Sequence, residues 1–375
     1  MSLRGGSGVA ELLSSHFETR GILRVETAQA RMKHHRNSPS LFFRPRHRAV
    51  LLICAFLMMS LSGTASALDP AKRLSQYAHT SWRSRDGYFG GSFPTSIAQT
   101  RDGFIWIGTT NGLMRFDGAR FTRWSPPDGQ PQPTLIYALV AAKDGSLWIA
   151  TDGYISHWES GRLTRYAAGS FSVVAIRESH DGTIWFTRSG GGKPGGLCRL
   201  ERGAPHCYGA SDGIEGMQPS ALAEDSAGNL WVGNDVSVVR WTPAEHVTYR
   251  VPQLVSVIGA GVSALEPAPD EGVWVGMYDS GRGLGLQRLA AGRMQPVVAG
   301  KLDGSGLSVF ALHYDGAGSL WVGTGGQGIY RLHGETVEQF RSVDGLSGDN
   351  VTQFLEDREG TLWVATTRGL DAFHD

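Results

Sequence analysis

The chain has 375 residues, 41% hydrophobic and 10% aromatic, with a formal net charge of zero. That is enough apolar material for a packed core, and it excludes a disordered chain. Fifty-one glycines against 16 prolines, without a Gly-X-Y period, exclude collagen and point to many tight turns. Residues 1–67 hold nine Lys and Arg against three acidic residues, leaving 26 basic and 32 acidic in the remainder. A mildly acidic body without a basic run argues against nucleic acid as a partner.

The first recognisable element is "RPRHRAVLLICAFLMMSLSGTASALDP" (44–70). Arg44, Arg46 and Arg48 precede an apolar stretch from Ala49 to Gly63, and Ala65-Ser66-Ala67 forms a small-residue cleavage site. This order predicts a secretory signal peptide cut after Ala67, with Met32 as the natural start. The apolar run is about fifteen residues, short of the ~20 that a spanning helix needs. Ile53 before Cys54 does not fit a lipoprotein signal. Residues 1–67 are therefore expected to be an extension plus signal peptide, and 68–375 one folded domain. The mature chain is expected to be periplasmic or secreted, without a membrane span.

From there on the chain repeats. Seven copies align on Trp106, Trp148, Trp185, Trp231, Trp274, Trp321 and Trp363, spaced by 42, 37, 46, 43, 47 and 42 residues. They read "RDGFIWIGT", "KDGSLWIAT", "HDGTIWFTR", "SAGNLWVGN", "DEGVWVGM", "GAGSLWVGT" and "REGTLWVAT"; the fifth has lost one residue between Gly and Trp. Each unit divides into four short strands, as in "SVFALHY", "LWVGT", "GIYRL" and "TVEQF". The Asp-Gly turns between the first two strands predict hairpins with both central residues at positive φ. Four strands per 40–50 residues is the period of a propeller blade. The prediction is an all-β fold, a seven-bladed β-propeller of four-stranded antiparallel blades, with each Trp filling space between blades. The seventh copy lacks a fourth strand. "YAHTSWRSRDGYFGGSFPTSI" (77–97) parallels "VEQFRSVDGLSGDNVTQF" (337–354), so the N-terminal strand around Tyr77 to Trp82 is expected to complete the last blade and close the ring.

The succession D-G-x-L/I-W-I/V-G-T, N-G-L, R-F-D-G and an aromatic-ended strand, best seen at Asp102 through Trp124, resembles the two-component regulator propeller repeat. The resemblance covers the mature chain, most strongly in copies 1, 2, 6 and 7. It implies the extracytoplasmic sensor region of a receptor. In that family such propellers are commonly followed by more propeller, an immunoglobulin-like domain, a membrane helix and a histidine kinase or nucleotide cyclase. None follows here, so the output is expected from another polypeptide, such as a membrane sensor protein. The third copy, "HDGTIWFTR", is similar to streptogramin-lyase repeats, which makes a lyase the main enzymatic alternative. A purely structural interaction scaffold is the third.

No catalytic constellation stands out. The histidines after the signal (79, 157, 180, 206, 246, 313, 333 and 374) form no H-x-x-x-H pair. "GGGKPGG" (190–196) has no Ser or Thr after its Lys, and Asp102, Asp144 and Asp181 are accounted for by turn chemistry. The expectation is a non-enzyme without cofactor or metal that binds a small polar ligand, such as a carbohydrate, or a partner protein. Turns of the "RDG" kind are short and alike, whereas the loops between second and third strands and the links between blades diverge. Divergent loops on a constant scaffold are the place for binding. Tyr88, Phe89, Arg188, Lys193, Tyr278, Asp279, Arg282 and Arg368 on that side are the candidate ligand-binding residues. Cys198 and Cys207 flank one hairpin, and export favours a disulfide between them.

Overall fold

Each repeat begins on a turn that its own residues build. In "TRDGF" the Gly103 amide donates to Thr100 O at 3.0 Å and Thr100 N to Phe104 O at 3.1 Å. Gly103 alone takes positive φ, at 91°. This is a three-residue hairpin loop with glycine in the left-handed position, not the two-residue turn expected from Asp-Gly. Asp keeps ordinary backbone angles and bonds forward instead, as Asp144 accepts the Ser146 amide at 2.8 Å and Asp181 the Thr183 amide at 2.9 Å. These contacts belong to a computed structural model that describes residues 68–190, 196–215, 218–255 and 260–375. The signal segment, Met32 and Lys193 lie outside the described residues.

The turn also fixes the tryptophan. Trp321 Nε1 donates to Asp315 at 2.7 Å while Asp315 accepts the Ser319 amide, and Trp231–Asp225 (2.9 Å) and Trp363–Asp357 (2.7 Å) repeat the bond. Burial pushes the Asp225 carboxyl up, but the bonds from Asn229, Trp231 and the Ala227 amide outweigh it and hold it below the ordinary carboxylate range. In the fifth copy, where a residue is missing, Trp274 Nε1 is buried without a partner and Arg288 stacks on the ring at 4.3 Å.

The strands form antiparallel sheets of the propeller kind. Four-stranded sheets carry Trp106 (Pro94–Gln99, Ile105–Thr109, Gly112–Phe116, Phe121–Arg123), Trp231, Trp274, Trp321 and Trp363. A short two-stranded ribbon, Val298–Ala299 with Leu302–Asp303, is separate. The repeats of Trp148 and Trp185 do not make two sheets. They share one six-stranded sheet, so six main sheets stand where seven were expected. The reason is local: Leu147–Glu159 and Arg162–Glu178 run on through the places where other repeats break, and Asp152 pairs with Ser172 across them.

First strands of successive sheets lie side by side and are stitched by recurring hydroxyl bonds. Thr95 donates to Ile136 O (2.6 Å), Ser220 to Val262 O (2.6 Å) and Thr352 to Pro94 O (3.2 Å). At the turn end, equivalent carboxylates or amides accept a neighbour's backbone N–H: Glu178 from Lys143, Glu224 from His180, Glu356 from Gly316 and Gln99 from Arg358. The glycine of "LWVGT" is dictated by this packing. A Cβ on Gly323 would lie 2.5 Å from Val351 of the next sheet, and Gly233 and Gly276 meet Val262 and Val309 in the same way. Gly323→Ala is therefore expected to cost about 1–3 kcal/mol by overpacking, measured as a lowered urea midpoint. An unchanged midpoint would show that the sheets can separate freely.

The N-terminal strand Ala78–Arg83 pairs antiparallel with Gly369–His374, Arg83 opposite Gly369 and Ala78 opposite His374. Leu68, Leu74 and Tyr77 ahead of it enter the same buried cluster as Trp321, Phe340 and Phe373. Buried Arg331 bonds Tyr77 Oη, Glu338 and Lys72 O.

Candidate functional site

A cavity of about 600 Å³ opens beside that strand, lined by Arg83, Ser84, Arg85, Ser342, Leu346, Ser347, Thr367 and Arg368. Three segments build it. Two are links of one design: Ser84–Asp86 and Ser342–Asp344 are single 3-10 turns, ended by Gly87 (φ 90°) and Gly345 (φ 124°). Their sequences, "RSRDG" and "RSVDG", are matching parts of adjacent repeats. The third is the hairpin loop between Leu362–Thr366 and Gly369–His374, held to the first by the Ser84 amide on Arg368 O at 2.8 Å.

The floor is fixed by Asp371, which is fully buried. It accepts the Ser347 amide at 3.0 Å, the Ser347 hydroxyl and His79 Nε2 at 2.9 Å. Ser347 Oγ also meets Thr366 Oγ1 at 2.7 Å. Ser, Asp and His are thus in contact, but not in the order of a Ser-His-Asp triad: the carboxylate stands between hydroxyl and imidazole, so the imidazole does not touch Ser347. His79 stacks on Phe373 at 4.5 Å, behind the cavity wall. Among the described residues no group of three or more His, Cys, Asp or Glu is placed to hold a metal. Nor is any helix among them long and apolar enough to cross a membrane.

Of the described residues singled out from the sequence, Arg368 lines this cavity and the others do not. Phe89 is 2% exposed and packs on Phe121 among Ile97 and Ile107; it is a core side chain, because the link folds back over the first sheet. Tyr88 is exposed with its ring edge on Phe121. Arg188 is half-buried with its guanidinium 4.5 Å from the Phe171 ring, and burial lowers its pKa. Tyr278 packs on Phe310, and burial pushes its hydroxyl up. Asp279 is half-buried and Arg282 exposed on the same loop. Arg83, Ser84, Arg85, Ser342, Leu346, Ser347 and Thr367 line the cavity without having been candidates from the sequence. The alignment of 77–97 with 337–354 carried the signal, since it sets the two links side by side.

Cys198 and Cys207 stand opposite each other in register, Cα–Cα 4.0 Å, with their sulfurs bonded. Mature protein from an oxidising compartment is expected to show no free thiol when denatured unreduced, and two after reduction; two before reduction would refute the bridge.

Residues 87–111 and 345–368 match the family model described as Two component regulator propeller. No curated protein matches the sequence. Among solved structures, the fold is similar to the extracellular domain of BT4673 from B. thetaiotaomicron, named as a one component system, with TM-score 0.62 and 20% identity over 75% of this chain and 38% of that one. It is likewise similar to the extracellular domain named as hybrid two component system BT3049 from B. thetaiotaomicron, with TM-score 0.62 and 16% identity over 80% and 41%. A catalytically inactive virginiamycin B lyase from Staphylococcus aureus, solved with quinupristin, gives TM-score 0.63 and 17% identity over 80% and 100%. The chain spans about two fifths of the length of the two extracellular domains. At these identities the likeness concerns the fold.

Proposed function

Because the chain carries two component regulator propeller repeats at 87–111 and 345–368, we propose that it is an exported, non-enzymatic binding propeller of the sensor kind. It takes a small polar ligand in the cavity between 83–85, 342–347 and 367–368, and passes its state to a membrane sensor. One observation carries this reading: the matched repeats border the cavity. Segment 345–368 supplies Leu346, Ser347, Thr367 and Arg368, and 87–111 begins two residues after Arg85. Export is supported by the signal-like segment at 44–67 and by the Cys198–Cys207 bridge.

In the same reading the six-stranded sheet counts as two blades that share continuous strands, giving seven, and the pairing of Ala78–Arg83 with Gly369–His374 fastens the ring. Support comes from Thr151 Oγ1, which donates to Tyr154 O at 3.2 Å as Thr109 does to Gly112 O at 2.8 Å in an ordinary hairpin. Trp148 also stacks on His157 across the same bend, 4.1 Å between centroids.

A thermal-shift screen of soluble saccharides and small acids tests the binding site. A stabilising compound is expected to lose at least about tenfold in affinity with Arg368→Ala and Thr367→Ala, and to keep it with Lys143→Ala and His180→Ala at the opposite turns. The reverse pattern would move the site to the turn face.

A further inference from the structure

We infer that the ligand of this cavity carries an oxyanion (carboxylate, sulfate or phosphate) on a hydroxyl-bearing body, a conclusion that rests on the binding reading above. Arg83, Arg85 and Arg368 all line the cavity, and no Asp or Glu is among its eight lining residues. The acids nearby are committed elsewhere. Asp371 is held by Ser347 and His79, Asp349 accepts the Ser342 amide and hydroxyl and pairs with Arg341 at 3.8 Å, and Asp344 accepts the Arg341 amide. Asp86 reaches Arg85 only at Nε, at 3.8 Å, with both side chains at least half exposed, a pairing that water largely screens. Arg83 spends one N–H on Gly345 O at 3.2 Å. Among the described residues no salt bridge engages Arg83 or Arg368 and Arg85 has only the exposed contact to Asp86, so N–H donors of all three remain for a ligand.

Three planar guanidinium forks around one space suit the paired oxygens of an oxyanion. No aromatic ring lines the cavity, so an uncharged sugar ring has no face to stack on. Ser84 Oγ is buried without a partner, and Thr367, also lining the cavity, offers a second hydroxyl to a ligand. About 600 Å³ is room for more than a bare ion. An acidic oligosaccharide has both features, the charge and the hydroxyls.

The test is titration calorimetry on the full chain at low salt with trigalacturonate, inorganic phosphate, inorganic sulfate and uncharged maltotriose. At least one anionic probe is expected to bind and to weaken tenfold or more in high salt. It is also expected to weaken tenfold or more in Arg368→Gln and in the exposed-site variant Arg85→Gln, with Arg368→Lys intermediate. Trigalacturonate binding well above phosphate and sulfate assigns part of the affinity to the sugar body; equal binding assigns a free-anion site, and both uphold the charge requirement. Anionic binding unchanged in the Gln variants, or no anionic binding at all, overturns the inference. Maltotriose binding that is lost in Thr367→Ala yet unaffected by the Gln variants also overturns it, while leaving the binding reading intact.

Discussion

Deletion of residues 68–84 abolishes cooperative melting of the domain at its normal temperature: that is the expected result in calorimetry or circular dichroism. The deletion removes Leu68, Leu74 and Tyr77, each at most 5% exposed, from the cluster around Trp321 and Phe373. Three such side chains are worth about 5–8 kcal/mol of burial together, comparable with the whole stability of a typical domain. It also strips the ladder from Gly369–His374 and leaves Arg331 without Tyr77 Oη and Lys72 O. Tyr77→Phe, which keeps the ring and removes only the hydroxyl contacts to Arg331 and Asp69 O, should cost about 1–2 kcal/mol. If the truncated chain melts like the intact one, the first strand is an ornament on the last sheet.

Asp371→Ala should cost about 3–5 kcal/mol. It leaves the Ser347 amide, the Ser347 hydroxyl and His79 without their acceptor in a place that water does not reach. Asp371→Asn keeps an acceptor for Ser347 but loses the charge, and should cost less, about 1–2 kcal/mol. Urea unfolding with an unchanged slope measures both. A loss below ~1 kcal/mol in Asp371→Ala would mean that Ser347 is held by its backbone alone, and that the cavity floor does not depend on the carboxylate.

The repeat was legible because its signals are local. A glycine that takes positive φ, a tryptophan three residues on and a small residue two after that recur every 37 to 47 residues, with structural causes in Gly103, Asp315 and Gly323. Blade separation was less so. Nothing in "TDGYISHW" announces that Asp152 will pair with Ser172 and let two repeats share a sheet, because that pairing depends on the length of both strands beyond the bend. The turn residues likewise showed where the chain reverses but not which of two hairpin geometries it takes. The site was the least legible part. Loop divergence selected Arg368, which lines the cavity, and also Phe89, whose ring turns inward, since variability cannot tell a side chain facing solvent from one folded over the core. Arg83 and Arg85 sit some 280 residues from Arg368 in sequence, and only the pairing of first strand with last sheet brings the three together.

That pairing also fixes an order of events. Residues 78–99 emerge early from the ribosome, but their partners, residues 351–374, are made only after all the intervening sheets. The first repeat must therefore wait with one flank bare until its partner segment at 351–374 has been made. For contacts this far apart in sequence, loop closure precedes any gain in bonding, which makes the pairing of first strand with last sheet slow to form.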